Sequence, residues 1–263
     1  VKDSITGRRS FLAAGSALLA GLSTVARATL PEQGTPPDVG RKFFADGQVM
    51  PFAGNTIICH LPQQGPDSAP FDALLDIYRA LPARSWARKV AVLPPSSYHM
   101  TIIGGANDKE RRHPLWPADL PLDMPMAECD RILGERLRAF RLGAEAGPYR
   151  MRVNPEAPSA KEGPLTMRLL PFDEAEERKL RRLRNRLAAV LGIEDAGHDT
   201  YGFHITLAYQ FAALTSAEDA AWRADLAQWK QQIIARAPVI TLGPPEYCLL
   251  ADMFAFKRQF YLE

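Results

Sequence analysis

The sequence predicts an α/β (α+β) protein of bilobal, duplicated design, each lobe a small sheet packed with helices. Three observations predict it. Strand-like runs alternate with helical ones; the order strand, Pro, helix, strand, long helix, strand occurs twice; and a His-x-Thr motif recurs at the matching place, as His99-Met100-Thr101 and His204-Ile205-Thr206. Alternating strands and helices bury one sheet face under the helices. His99 and His204 stand 105 positions apart, close to half of the 235 residues that follow position 28.

The first round opens at 55–61, apolar and β-branched between Gly54 and Pro62. A helix is expected over 71–80, where Phe71, Leu74, Leu75 and Tyr78 recur at helical spacing. Strands follow at 90–93 and 98–103, the second closed by Gly104-Gly105, then a helix over 125–142 and a strand at 149–153. The second round starts with a strand at 165–170 stopped by Pro171. Asp173 followed three positions on by Glu176 has the spacing of a helix start, and Gly192 suits the cap after Leu191. A strand is expected over 202–209, a helix over 217–235, and strands at 239–242 and 248–256. Residues 51–263 are read as one bilobal domain, with lobes near 51–154 and 164–263 and strands free to be exchanged between them.

Residues 1–28 have another character. Arg8-Arg9, an apolar run from Phe11 to about Leu22, and Ala26 and Ala28 at cleavage spacing resemble a twin-arginine export signal, which implies a periplasmic or extracellular site of action. The run falls short of the roughly 20 residues that span a bilayer, so no stable membrane anchor is expected after cleavage. The chain carries 32 Lys+Arg against 30 Asp+Glu, and without these 28 residues the balance becomes 28 against 29. That near-neutrality argues against a surface that coats extended double-stranded nucleic acid. Residues 29–50, rich in Pro and Gly, are expected to wrap the surface. Three separated cysteines, Cys59, Cys129 and Cys248, do not describe a disulfide scaffold.

Side chains alternate across a strand, so His99 and Thr101 share one face, spaced by about 6.6 Å, while Met100 points the other way. His204 and Thr206 repeat this, with Phe203, Ile205 and Leu207 on the apolar side. An imidazole can act as base or acid near neutral pH, and a threonine hydroxyl can donate to a phosphate oxygen without adding charge. Two such units around one phosphodiester would supply a base for attack and an acid for the leaving oxygen.

With the segments GNTIICHLP, SSYHMTIIGG and YGFHITLAY, the chain from about residue 40 resembles the two-histidine (2H) phosphoesterases, most closely a bacterial group within them described as a domain of unknown function. The resemblance implies a central cleft with one motif from each lobe, no metal and no cofactor. It implies hydrolysis of a 2',3'-cyclic phosphate or related nucleotide or RNA-end phosphodiester, with His99 and His204 as acid and base and Thr101 and Thr206 on the phosphate. Two other readings use the same cleft: a nucleotide-binding module without turnover, and a hydrolase of a non-nucleotide envelope phosphodiester.

Further candidates are graded by strand face. Arg168 shares a face with Thr166 and could hold phosphate bidentately, the alternative being a solvated or ion-paired arginine. Tyr98 and Tyr201, next to the motifs, could stack on a base or pack at the rim. Arg150 and Arg152 share a strand face as lesser candidates, and His60 is expected to make a local hydrogen bond at its strand end. His198-Asp199 lies in a turn without enforced direction, so a metal site with three or four converging ligands is not expected. Gly104-Gly105 lacks the lysine of a nucleotide loop, and Ser96-Ser97 lacks a nucleophile elbow. The substrate's identity and the oligomeric state have no signature in these residues.

Overall fold

The computed structural model describes residues 34–157 and 165–263. Residues 1–28, where the sequence suggests an export signal, and part of the 154–164 loop lie outside the described residues. The order is β1 (Gly54–His60), α1 (Ala69–Ala80), β2 (Val90–Val92), β3 (His99–Asn107), α2 (Met126–Ala139), β4 (Tyr149–Val153), β5 (Thr166–Pro171), α3 (Glu174–Leu191), β6 (His204–Thr206), β7 (Ala208–Gln210), α4 (Ser216–Arg236), β8 (Ile240–Leu242), β9 (Glu246–Asp252) and β10 (Ala255–Tyr261). Among the described residues, no helix is long and apolar enough to cross a membrane.

The expectation of two lobes with separate sheets is corrected by the strand pairing. Eight strands form one sheet in the order β10-β9-β1-β3-β6-β5-β4-β8, and β2 and β7 make a minor second one. The motif strands β3 and β6 are direct antiparallel neighbours at Met100 and Ile205, so the sheet runs unbroken through the place where a cleft between lobes was expected. The chain's last hairpin, β9–β10, joins the first-half strand β1, while β4 pairs with β5 and β8. Repetition of element order therefore does not produce a symmetric bilobal architecture. The sheet curls as a half-barrel: Phe256 on β10 lies three strands from β3 in pairing order, yet its ring centroid is 4.3 Å from that of His99.

Local chemistry accounts for the element ends. The Asp173 side chain accepts a 2.8 Å hydrogen bond from the Glu176 amide at the start of α3, and Gly192 closes that helix with φ 65°. Gly104-Gly105 does not end β3, which continues to Asn107. A side chain at Gly105 would collide with Asn55, whose Oδ1 accepts from the Ala106 amide at 3.1 Å, so the glycine lets a partner strand's side chain reach the backbone. The 202–209 strand is interrupted at Leu207, whose amide and carbonyl bond Leu165 and Leu93.

One continuous core includes Met100, Met151, Met167, Ile205 and the α3 residues Leu180, Leu183 and Leu187. Within it, Arg184 of α3 is only 1% exposed. It donates to the Ile102 and His198 carbonyls and lies 4.1 Å from the Tyr201 ring centroid, so its cationic head has both acceptors and an aromatic face. Burial lowers its pKa nonetheless. The cysteines are all free and buried.

Candidate active site

The alternation expected from sequence holds around both motifs. Met100, Ile102, Phe203, Ile205 and Leu207 are buried, whereas His99, Thr101, His204 and Thr206 are half-buried on the opposite face. Because β3 and β6 pair antiparallel at Met100 and Ile205, His99 lies across from Thr206 and Thr101 across from His204. The histidines are diagonal neighbours, a relation that places such residues about 7–8 Å apart. One phosphate can bridge that gap with a hydrogen bond of about 2.8 Å at either end.

Pairing extends the two rows. His60 of β1 lies opposite His99, and on the other side Thr166 and Arg168 of β5 lie opposite Thr206 and His204. One row is thus His60, His99, Thr206, Thr166, and the next contains Thr101, His204 and Arg168. The expected partners converge because of strand register, on neighbouring strands rather than across a gap between lobes.

Both motif rings are held in the same way. His99 Nδ1 lies 2.6 Å from the Ser97 carbonyl oxygen, and His204 Nδ1 lies 2.8 Å from that of Gly202, in each case two residues upstream. A carbonyl only accepts, so Nδ1 carries the hydrogen and donates it. The neutral ring then keeps its lone pair at Nε2. In both motifs Nε2 is therefore the ring nitrogen with acceptor capacity.

The environments differ. Burial pulls the His99 pKa down to about 4, with the nearby charges of His60 and His204 acting in the same direction against the Ser97 carbonyl. His60 sits 6.0 Å from His99 between ring centroids, and its Nδ1 is 3.0 Å from Glu246 Oε2. Glu246 is 4% exposed. Burial raises its pKa, but the His60 hydrogen bond and the charges of His60 and Arg258 outweigh that and hold it low. His60, Glu246 and Cys248 also bring ligand atoms within 4.8 Å of one another, a group that could hold a cation. Arg258 Nη1 lies 3.5 Å from the same Glu246 oxygen, so a guanidinium shares that carboxylate, and burial pushes the Cys248 thiol up to about 12.

The remaining predicted residues separate. Arg168 is half-buried beside His204 and donates to the Gly202 carbonyl at 3.4 Å. Tyr201 is half-buried, 5.8 Å from His204 between centroids and hydrogen-bonded to Thr101, and burial raises its pKa to about 12. Tyr98 is not brought to this face: it is 1% exposed and its hydroxyl lacks a hydrogen-bond partner, because its neighbour His99 takes the open side. Arg150 is engaged by Asp173 and Glu176, while Arg152 is exposed. His198 is 6% exposed and tied to Asn185 and Arg184. Glu246, Phe256 and Arg258 were missed from sequence. Their signal is the polar alternation Glu246-x-Cys248 and the spacing Phe256-x-Arg258, but only the sheet's curl brings Phe256 to His99.

Comparison with known proteins finds one family and two solved structures of note. A protein-family model described as "2H-phosphodiest: Domain of unknown function (DUF1868)" matches residues 42–162, a stretch with the first motif but not the second. A crystal structure of the conserved protein of unknown function ATU0111 from Agrobacterium tumefaciens is 28% identical, with TM-score 0.78, covering 88% of this chain and 94% of that one. A crystal structure of TT0787 of Thermus thermophilus is 18% identical, with TM-score 0.41, covering 80% of this chain and 96% of that one. No curated protein matches. Residues 42–162 are thus similar to the 2H-phosphodiest family, and the Agrobacterium structure shares the fold over most of the chain.

Proposed function

We propose that this protein is a phosphoric diester hydrolase that opens a 2',3'-cyclic phosphate, or a related nucleotide or RNA-end phosphodiester, without a metal in the chemical step. The observation that carries the reading is the pair of histidines on adjacent strands, each with Nδ1 donating to the carbonyl two residues upstream.

In this mechanism His99, kept neutral by its low pKa, accepts a proton from water at Nε2. The water oxygen bonds to phosphorus while the bond from phosphorus to the departing ribose oxygen breaks. His204, protonated at Nε2 when substrate binds, gives that proton to the ribose oxygen. The products are a phosphomonoester and a free hydroxyl, and exchange with solvent resets both rings. The Thr101 and Thr206 hydroxyls donate to the nonbridging oxygens, and Arg168 balances charge on the His204 side. Fixed donors of this kind act where charge builds in the transition state. A phosphate anion beside an imidazole favours its protonated form, which suits the acid's role in the complex.

A panel of a 2',3'-cyclic nucleotide, a linear dinucleotide and a glycerophosphodiester tests the reading. Turnover of the cyclic nucleotide above the other two is expected. Tight nucleotide binding with no product from any of them would contradict hydrolysis and favour a binding module. Export through residues 1–28 completes the proposal, and it is checked by finding the protein, shortened at its N-terminus, in the periplasmic or extracellular fraction.

A further inference from the structure

We propose that the cavity beside His99 is a nucleobase pocket, so that the substrate's base lies toward β10 while its phosphate sits on the paired motifs. This inference rests on the hydrolase reading for the phosphate's position. A cavity of about 540 Å³ opens there, lined among others by His60, Ser96, Phe256, Arg258 and Tyr261. That volume lies within the range of small-ligand sites.

Three features favour an aromatic occupant. Phe256 forms a wall shared with the reaction site, its ring 4.3 Å from that of His99, so a group in the cavity is contiguous with a phosphate beside His99. Tyr261 leaves 45% of its surface exposed, and the Arg258 guanidinium lies 4.3 Å from its ring centroid, an arrangement that sets a π surface and N–H donors side by side. His60, clamped by Glu246 at 3.0 Å, adds a ring whose direction is set before a ligand arrives. The opposite flank of the motifs has Arg168 and the exposed Arg152 and is built for charge instead. Stacking on aromatic side chains is tolerant of base identity, so the pocket would discriminate base from no base more than one base from another.

Calorimetric titration of the full chain with adenosine 3'-phosphate and with glycerol 2-phosphate tests this without requiring turnover. The nucleotide is expected to bind at least about tenfold more tightly, and Phe256→Ala and Tyr261→Ala are each expected to shrink that advantage to within about threefold. Tyr261 is exposed, so its variant keeps the test open even if Phe256→Ala disturbs folding. Equal affinities in the unaltered protein, or an advantage retained in both variants, would overturn the pocket. Its failure is separable from that of the hydrolase: equal turnover of 2',3'-cyclic AMP and glycerol 1,2-cyclic phosphate sinks the pocket alone, whereas base-dependent binding without turnover sinks the hydrolase alone.

Discussion

The two sides of the motif pair are furnished differently. Toward β1, β9 and β10, His99 meets His60, Phe256 and, behind them, the buried Glu246. Toward β5 and β4, His204 meets Arg168, with exposed Arg152 beyond. The rings themselves have the same tether from Nδ1 to a carbonyl two residues upstream. A repeated motif therefore supplies two chemically similar nitrogens, and the surroundings break the symmetry that, in the proposed mechanism, would leave base and acid interchangeable. Enclosure makes His99 resist protonation, while a permanent cation next to His204 favours the arrival of an anion there.

The largest expected effect comes from removing either member of the pair. His99→Ala and His204→Ala should each lower kcat on a 2',3'-cyclic nucleotide by about 10²- to 10⁴-fold, with circular dichroism unchanged. Next is the scaffold under both: Arg184→Ala removes a donor from the buried Ile102 carbonyl and one of two from that of His198, which keeps the Tyr201 amide, and should cost about 1–3 kcal/mol, read from urea unfolding. Arg168→Ala sharpens the contrast between the sides, because losing a charged donor to phosphate should raise KM by about tenfold or more and change kcat less.

The pH dependence discriminates more finely. Since kcat/KM reports the free protein, its acid limb should fall as pH drops through about 4, where His99 is protonated and lost as a base. In kcat the same limb should lie higher, because bound phosphate favours the imidazolium. The sign for stability follows from the same depression. Between about 4 and about 6.5 the folded chain binds fewer protons than the unfolded one, so His99's contribution is present above 6.5 and is lost as pH falls toward 4. An acid limb of kcat/KM near 6.5 would count against an enclosed base. The smallest expected change is in EDTA, where activity should stay within about twofold; a loss restored by zinc would point to His60, Glu246 and Cys248 as a working metal site.

Much of the site could be read before any coordinates because strand alternation is a local property. Met100 and Ile205 turn inward, which obliges His99, Thr101, His204 and Thr206 to face out. Helix ends were equally legible: Asp173 with Glu176, and Gly192, act within one turn of chain. Strand order was not, since nothing local to His99 says that β3 pairs with β6 instead of ending its own sheet. The expected symmetry of two lobes failed for that reason, whereas Tyr98, offered as a stacking or rim residue, is buried because alternation turns it away from the face of its neighbour His99. Phe256 and Glu246 reach the site through curl and through β9 pairing with β1, which are properties of the whole sheet.

The most direct measurement is a double-mutant cycle on cyclic-nucleotide hydrolysis with His99→Ala, His204→Ala and the combined variant. If both rings serve one phosphorus atom, the combined variant should be about as slow as the slower single one, since removing either partner already disables the shared step. Losses that multiply in full, or a single variant as active as the unaltered protein, would contradict a joint site.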